Sequence, residues 1–399
     1  MPHRAMHRCW LEIDLDALES NYQFLTNRLP DDTGIIAVIK GDSYGLGAPM
    51  FLTLFRDKPN IKGFAVATVD EAIEARIFCA DKFVLVFGYT PPEYAGELAA
   101  HDITVTIPTL DYAKALNDSA AKAGVTVRAQ IEIDTGMCRF GLLARHPDEQ
   151  ARAIADIAEM RALSHLQIDG IYTHFATGGA PEEEQTDKQF ELFLALLDTL
   201  EGKDITFAHV HCSNSAATFF HPDKRLPLVR TGCAFYGLRA NWPDRELPGH
   251  KQTTQWKTQI IQIKSCVPGD LIGYGPYPVE HPMTIAVISC GYADGVPACT
   301  KELAGPLVHG VEAPIISVSM DQMMIDITHI PDAYVGQVIT YAGEDAGVWR
   351  DMEDVAELLD VHPGDFYTRI PRRVPRVYMK DGNVVAAQTL LNPLGGLDG

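Results

Sequence analysis

A lysine stands where an apolar segment ends and a glycine-rich turn begins. The segment IIAVI (35–39) runs directly into Lys40, and Tyr44 follows four residues later within GDSYGLG. A lysine amine that is partly removed from water loses its charge more readily and can then attack an aldehyde. A surface lysine that caps a strand would give the same short pattern, so this segment alone leaves both interpretations open.

Apolar segments of similar length recur through the first 230 residues, and most are separated by helix-like, alanine-rich stretches. They are IIAVI (35–39), GFAVA (63–67), FVLVF (83–87), ITVTI (103–107), VRAQIEI (127–133), LQIDGIYT (166–173), ITFAHV (205–210) and LPLV (226–229). Strands that alternate with helices favour parallel pairing. Eight such units predict a (β/α)8 barrel, with an open doubly wound sheet as the alternative.

Polar residues follow several of these segments. They are Lys40, Asp134, His174, His211 and Arg230. In a barrel of this kind, active sites are built at the carboxyl ends of the strands. We therefore expect Lys40 to point into a pocket that the other four residues share.

The sequence changes in character after Arg239. A polar, proline-bearing stretch (241–251) reads as a linker, and shorter strand-like runs separated by turns follow it. We predict an α/β protein whose second domain is mostly β and is closed by the helix-like stretch 355–362 and by 374–387. The predicted boundaries are 10–240 for the barrel, 250–390 for the second domain, and 1–9 and 391–399 for the tails.

Composition limits the functional class. The chain has 399 residues and a formal net charge of −20, with 53 acidic against 33 basic residues, so no nucleic-acid partner is expected. The sequence shows no apolar run of about 18 residues and no signal-peptide pattern at its start, so we expect a cytoplasmic protein without a membrane span. The eight cysteines form no CxxC pair, and neither disulfides nor a metal site are predicted.

Nine segments, in the same order, resemble the alanine racemase family, whose members use pyridoxal phosphate (PLP). They are the segment around Lys40, IEIDTGMCRFG (131–141), GIYTHFATG (170–178), HCSNSAA (211–217), LVRTGCAFYGL (228–238), IGYG (272–275), CGYADG (290–295), SMDQMMID (319–326) and RRVPRVY (372–378). The resemblance implies an N-terminal barrel, a C-terminal β domain and a homodimer with active sites at the interface. It also implies that the enzyme supplies D-alanine for peptidoglycan.

Racemisation removes a proton from one face of Cα and returns one to the other face, so two bases are the natural solution. The resemblance implies that Lys40 binds the cofactor and serves one face, and that Tyr274 of the partner subunit serves the other. It places Arg230 opposite the pyridine nitrogen. Because arginine stays protonated, the ring becomes a weaker electron sink and side reactions such as transamination are limited. His211 is expected to orient Arg230.

The resemblance also implies the remaining contacts. The cofactor contacts are Tyr44, His174, Asn214, Ser215, Gly232, Cys233 and Arg372. The substrate contacts are Arg139, Met320 and Tyr292, with Asp321 in support. Arg372 stands where the family often has a tyrosine, which leaves one phosphate contact open.

Glu132 departs from the family pattern. Many members have a carbamylated lysine at this position, two residues before DTGM. We expect Glu132 to supply the negative charge directly and to hold Arg139 through a charge-assisted pair, with a bridging water or a backbone shift where its shorter side chain needs one. The alternative is a glutamate that only faces solvent.

Other functions stay open from sequence alone. A racemase for serine or for a broader set of amino acids is the nearest alternative, because substrate choice depends on pocket shape. Another barrel-type PLP enzyme, such as a decarboxylase or a D-amino-acid aldolase, is a second. Arg230 argues against a decarboxylase, and the absence of a metal-ligand pattern argues against an aldolase. A non-catalytic PLP-binding protein would be shorter and would lack the domain that carries Tyr274.

Overall fold

The structure of the chain is a computed structural model, and it describes residues 5–180, 184–239, 242, 247–274, 277–297 and 305–394. The strands are β1 (Cys9–Asp14), β2 (Gly34–Val38), β3 (Ile61–Val66), β4 (Phe83–Val86), β5 (Ile103–Ile107), β6 (Val127–Asp134), β7 (Leu142–Leu143), β8 (Leu166–Thr173), β9 (His209–His211), β10 (Leu228–Thr231), β11 (Thr254–Cys266), β12 (Leu271–Ile272), β13 (Tyr277–Pro278), β14 (Met283–Ile288), β15 (Leu307–Val308), β16 (Val311–Glu312), β17 (Ile315–Val318), β18 (Met323–Asp326), β19 (Val338–Asp345), β20 (Val348–Arg350), β21 (Arg376–Lys380) and β22 (Asn383–Gln388). The helices are α1 (Leu15–Thr26), α2 (Lys40–Gly45), α3 (Ala48–Phe55), α4 (Val69–Phe78), α5 (Ala95–Ala100), α6 (Leu110–Ala123), α7 (Pro147–Arg161), α8 (Glu184–Glu201), α9 (Ser215–Phe220), α10 (Cys233–Tyr236), α11 (Met352–Leu358) and α12 (Pro363–Arg369).

Eight parallel strands of the first domain close into a barrel, which confirms the predicted (β/α)8 fold. Their order is β5-β4-β3-β2-β10-β9-β8-β6, and β5 pairs with β6 to close the ring. Strands such as β2 (GIIAV) and β4 (FVLV) are continuous apolar runs because both of their faces are buried. The cluster that includes Ile36, Val38, Leu85 and Tyr172 packs separately from the main core of the chain, and these side chains fill the barrel interior.

Two barrel strands differ from their predicted bounds. The prediction places strands at 205–210 and 226–229, whereas β9 covers His209–His211 and β10 covers Leu228–Thr231. Pro227 has no N–H group to donate to a neighbouring strand, so regular pairing begins after it. Arg230 therefore lies within its strand and not after it, although it still faces the carboxyl end of the barrel.

The mostly-β second domain is also confirmed, and its largest sheet includes the first strand of the chain. The main path of that sheet is β16-β15-β19-β11-β1-β21-β22. Strand β1 pairs antiparallel with β11 and parallel with β21, so residues Cys9–Asp14 lie in this sheet. Residues 376–388 form the β21–β22 hairpin, and the helix predicted at 355–362 is α11, which ends at Leu358. Of the predicted linker at 241–251, residues 241 and 243–246 lie outside the described residues.

The second domain packs against the turn that follows Lys40. Arg376 is buried, and its Nε donates a hydrogen bond to the carbonyl oxygen of Gly45 at 2.8 Å. The hydroxyl of Tyr378 donates to the carbonyl oxygen of Leu46 at 3.1 Å. These contacts hold the turn against the second domain. Of the helices in the described ranges, none is both long enough and apolar enough to cross a membrane.

Candidate active site

A cavity of about 990 Å³ opens at the carboxyl ends of the barrel strands. This volume lies at the upper end of the range that is usual for small-molecule sites. Many of the site residues predicted from sequence line it: Lys40, Tyr44, Glu132, Arg139, His174, Asn214, Ser215, Arg230, Gly232 and Cys233. His211 lies behind Arg230 inside the barrel.

Lys40 is followed by a left-handed turn. Four consecutive residues have positive φ angles, namely Gly41 (64°), Asp42 (55°), Ser43 (54°) and Tyr44 (57°). For each L-residue this conformation costs about 1 kcal/mol or more in free energy. Neighbouring groups must therefore stabilise the turn. The carboxylate of Glu71 does so by accepting a hydrogen bond from the Gly41 amide at 2.6 Å. The turn brings the Tyr44 side chain back to the cavity beside Lys40.

The environment of Lys40 favours the neutral amine. Its side chain reaches the open cavity, while protein surrounds it on the other sides. This partial removal from water lowers the pKa of Lys40, and the positive charge of Arg139 lowers the pKa further. A larger fraction of the amine is therefore free to act as a nucleophile or a base.

Arg230 is buried, and several hydrogen-bond acceptors surround its guanidinium group. Its Nη1 lies 2.8 Å from Nδ1 of His211, and its Nη2 lies 3.1 Å from Nδ1 of His174. The same Nη2 donates to the carbonyl oxygens of Thr173 at 2.9 Å and Cys212 at 3.0 Å. Burial lowers the pKa of both histidines well below the usual value, and the charge of Arg230 adds to the effect. Both rings are therefore neutral, and their Nδ1 atoms accept hydrogen bonds from Arg230.

Hydroxyl and amide groups gather at another side of the cavity. The Ser215 hydroxyl accepts hydrogen bonds from the amides of Gly232 at 3.0 Å and Ala234 at 3.3 Å. A Cβ atom on Gly232 would lie 2.6 Å from the Tyr44 hydroxyl oxygen, so only glycine lets that hydroxyl approach the backbone so closely. Such a set of small donors suits a phosphate group more than it suits a bulky apolar ligand.

The remaining predicted site residues do not line this cavity. The side chains of Tyr274, Tyr292 and Met320 are exposed on the second domain, and Tyr274 is 92% exposed. Asp321 follows Met320 and is also on the surface. Arg372 lies 3.5 Å from carboxylate oxygens of both Asp42 and Glu74. Arg372 does not line the cavity, and its contact with a phosphate stays a prediction.

Comparison with known proteins identifies the family. The family model "Alanine racemase, N-terminal domain" matches residues 13–240, and "Alanine racemase, C-terminal domain" matches residues 253–378. The chain belongs to the alanine racemase family. It is 34% identical over 387 residues to the alanine racemase of Clostridium novyi, which covers 96% of this chain and 98% of that protein. It is 32% identical over 374 residues to alanine racemase 1 of Caldanaerobacter subterraneus, which covers 93% and 95% respectively.

Solved structures of alanine racemases have the same fold. The enzyme from Clostridium difficile 630 superposes with a TM-score of 0.88 at 32% identity and covers 96% of this chain and 99% of that one. The Bacillus anthracis enzyme with bound L-Ala-P gives 0.84 at 30% identity, covering 97% and 98%. The matches over both domains make this chain a PLP-dependent amino-acid racemase.

The structure shows no direct pair between Glu132 and Arg139, and a water-bridged pair stays a prediction. No ion pair within 4.0 Å joins them in the part of the chain that the structure describes. Instead, Glu132 Oε2 accepts a hydrogen bond from the Tyr172 hydroxyl at 2.9 Å. Glu132 and Tyr172 are register partners on the adjacent strands β6 and β8, and this pairing brings their side chains close together. Glu132 is buried, which also excludes the alternative that it faces solvent.

Replacing Glu132 with glutamine is expected to change how stability depends on pH. Burial raises the pKa of Glu132 above its ordinary value of 4.5, and the hydrogen bond from Tyr172 and the positive charges of Arg230 and Arg139 only partly oppose this. The folded wild type therefore holds the proton more tightly than the unfolded chain, and it loses stability as the pH rises from 4.5 through the raised value. The variant keeps an oxygen acceptor for Tyr172 and has no such loss.

Urea unfolding of wild type and Glu132→Gln over a pH series measures this difference. The stability of the variant relative to wild type should increase as the pH rises through the window. Two curves that stay parallel would contradict a buried, reluctantly ionised Glu132.

A network of charges joins the segments that carry Tyr292 and Met320. Asp294, whose side chain is fully buried, accepts hydrogen bonds from Arg8 at 2.6 Å and from Arg373 at 2.7 Å. Arg373 also donates to Asp321 at 2.7 Å. Burial alone would raise the pKa of Asp294, but the hydrogen bonds from the two arginines lower it below its ordinary value. The first residues of the chain thus help to order a surface that the sequence assigns to substrate binding.

The same aspartate belongs to the one group of possible metal ligands found among the described residues. Cys9, Cys290 and Asp294 place a ligand atom each within 4.8 Å of one another. Both carboxylate oxygens of Asp294 already accept hydrogen bonds from arginine. Two positive charges beside this aspartate oppose a cation, so we assign no metal there.

Replacing Asp294 with asparagine is expected to lower the free energy of unfolding by about 2 kcal/mol, because two arginines lose their shared counter-charge while water still screens their exposed parts. The lowered pKa means that this stabilisation is present above the ordinary value of 3.8 and is lost as the pH falls through the lowered value. Urea unfolding at neutral and at strongly acidic pH should therefore show a smaller deficit in acid. Asp57→Asn, at an exposed ion pair with Arg56, serves as the control and should change stability by less than about 0.5 kcal/mol.

Some residues of the site were not predicted from sequence. Tyr172, Thr106 and Gln130 are buried in the barrel interior and form hydrogen bonds with Glu132, Tyr172 and His211 respectively. The sequence did contain an indication of these residues, because each is a polar residue within a largely apolar, buried strand. Buried polar groups need partners, so such residues point to an internal network even when the partners are unknown.

Proposed function

We propose that this chain interconverts L- and D-alanine and supplies D-alanine for peptidoglycan. One observation carries the proposal. The cavity at the carboxyl end of the barrel is lined by a lysine with a lowered pKa, by a group of hydrogen-bond donors that could hold a phosphate, and by a buried arginine. The likeness to alanine racemases over nearly the whole chain supports alanine as the substrate.

The residues of the cavity fit PLP. The cofactor, when bound, draws electron density from the Cα–H bond of an amino acid and so makes that proton easier to remove. Lys40 would hold the cofactor covalently, and Arg230 would face its ring nitrogen with His174 beside the ring. Tyr44, Asn214, Ser215, Gly232 and Cys233 would surround its phosphate. The close approach of Tyr44 to Gly232 and the Ser215 hydroxyl between two amides support this orientation.

Proton transfer on the two faces is assigned to two chains. Lys40 Nζ takes or returns the Cα proton on one face, for which its lowered pKa suits it. Tyr274 Oη serves the opposite face. Because Tyr274 is 92% exposed and does not line the cavity of its own chain, we assign it to the cavity of a partner subunit in a homodimer. Each homodimer would then contain two composite active sites.

The substrate carboxylate would be bound by Arg139. This residue lines the cavity and its side chain is exposed to it, so an incoming anion can reach the guanidinium. Tyr292 and Met320 would close the site from the partner subunit and restrict it to a small side chain. Asp321 supports this face through its pair with Arg373.

Incubation with L-alanine and PLP in D2O tests the proposal. We expect D-alanine to appear with deuterium at Cα, since the proton returned on the second face comes from a base that exchanges with solvent. Chiral chromatography and mass spectrometry follow both changes. A cofactor-loaded protein that gives neither product from L-alanine would overturn alanine as the substrate, and serine would be tested next.

A further inference from the structure

A hydrogen-bonded chain continues into the barrel below Arg230. Because a guanidinium only donates, Nδ1 of His211 must accept from Arg230, and the proton of this neutral ring is then on Nε2. That nitrogen lies 2.8 Å from Oε1 of Gln130, whose side chain is completely buried. The amide oxygen of Gln130 therefore accepts the Nε2 proton of His211.

The orientation of the Gln130 amide is fixed from its other side. Its Nε2 lies 3.4 Å from Nδ1 of His209, which is near enough for a weak hydrogen bond from the amide to the ring. A flipped amide would direct N–H groups at the N–H of His211, where two donors would oppose each other. The ring of Tyr172 stacks on the ring of His211, with 4.8 Å between the ring centroids and 12° between the ring planes. Stacking therefore restricts the tilt of the His211 ring, and hydrogen bonds restrict both of its nitrogens.

The barrel leaves space for this glutamine at one position. Gln130 is the register partner of Gly170, and the pairing of β6 with β8 is irregular between Ala129 and Gln130. A Cβ atom on Gly170 would lie 2.5 Å from Cδ and 2.8 Å from Oε1 of Gln130. The glycine therefore allows the amide to lie across β8 and reach His211, and any larger residue would displace it.

We propose that Gln130 is a positioning residue of this racemase: it fixes the ring of His211 and thereby holds Arg230 against the ring nitrogen of the cofactor. The inference rests on the proposed function. If Gln130 loses its acceptor atom, a buried N–H of His211 has no partner, and the ring moves to find one. Arg230 then loses its nearest acceptor and shields the cofactor nitrogen less well. The expected consequence is a larger share of transamination.

Two readouts test the proposal in the PLP-loaded protein. Long-range ¹H–¹⁵N spectra of ¹⁵N-histidine-labelled protein report which nitrogen of His211 carries the proton and whether that proton is protected from solvent; the His211→Gln spectrum assigns the signal. Pyruvate formed per D-alanine formed reports the share of side reaction. The variants are Gln130→Met, which keeps the shape without an acceptor, and Gln130→Glu, which restores an acceptor. Gln388→Met, at a buried glutamine of the second domain, is the matched control.

In wild type we expect a protected proton on Nε2 of His211. Gln130→Met should lose that signal and raise the pyruvate ratio by about fivefold or more, as the loss of one buried hydrogen bond implies. Gln130→Glu and Gln388→Met should keep both readouts near wild type. Gly170→Ala, which displaces the amide without removing it, should behave like Gln130→Met.

A wild-type His211 with its proton on Nδ1, or with a freely exchanging Nε2 proton, would overturn the proposal even if every Gln130 variant failed to fold. A Gln130→Met protein that keeps both the protected proton and the pyruvate ratio would also overturn it. The spectra need no turnover, so they separate a failure of the positioning role from a failure of alanine as the substrate.

Discussion

Replacing Lys40 with alanine is expected to lower racemisation by at least about 10⁴-fold, because one side chain supplies both the covalent anchor and a base. The variant should also lose the visible absorbance of lysine-bound cofactor, although PLP can still bind through the phosphate contacts. Chiral assay of D-alanine and an absorbance spectrum measure the two effects. The fold should be unaffected, because the Lys40 side chain stands in the cavity and is not part of the packed core.

Lys122→Ala provides the matched control for this experiment. Lys122 is an exposed lysine in the last turn of α6, far from the cavity, so its removal tests the loss of one positive charge alone. It should leave both the absorbance and the rate unchanged. If Lys40→Ala kept a rate within tenfold of wild type, the assignment of Lys40 as anchor and base would be wrong.

The sequence was informative where one strand and its own end decide the outcome. The apolar runs before Lys40 and His174 predicted two residues that meet at the mouth of the barrel, because parallel strands bring their carboxyl ends to one edge. Asp134 was expected in the same pocket, but it does not line the cavity and instead accepts hydrogen bonds from the amides of Gly136 and Cys138. For this reason the barrel and the strand-end residues Lys40, His174 and Arg230 could be predicted without knowing how the strands pair, whereas the other predicted residues of the cavity were implied by the family resemblance. Arg230 was placed only approximately, since Pro227 delays the start of its strand.

The sequence was uninformative where the outcome depends on register between strands or on contacts between distant segments. Glu132 was expected to pair with Arg139, seven residues away in sequence, but its direct hydrogen bond is with Tyr172 because β6 and β8 pair in that register. Arg372 was expected near a phosphate, and the structure adds two partners that the sequence did not indicate, the carboxylates of Asp42 and Glu74 at 3.5 Å. Neither partner can be identified from a pattern within one segment.

Long-range sheet pairing gives a second example. The N-terminal strand β1 joins the sheet of the second domain through β11 and β21, about 245 and 365 residues further along the chain. Its sequence, CWLEID, alternates only from Leu11 onward, as an ordinary strand would, and does not indicate which sheet it joins.

Replacing Tyr274 with phenylalanine is expected to lower racemisation by about 10²- to 10⁴-fold, the range for loss of one acid–base group. Lys40 remains in the variant, so one enantiomer of alanine should still exchange its Cα proton with D2O without inversion. The stability of the chain should change by less than about 0.5 kcal/mol, because the side chain is exposed. Mass spectrometry of each enantiomer after incubation in D2O separates exchange from racemisation.

Mixing Lys40→Ala with Tyr274→Phe tests whether the tyrosine acts in the partner subunit. In a mixed dimer, one site has both lesions, while the other combines an intact Lys40 with an intact Tyr274 from the opposite chain. Random reassortment makes about half of the dimers mixed, and each has one working site of two, so activity should recover to about one quarter of wild type. If both residues served the cavity of their own chain, every site in the mixture would carry a lesion and no activity would return. Recovery therefore distinguishes composite sites from two independent sites in a dimer, which inactivity of the single variants cannot do.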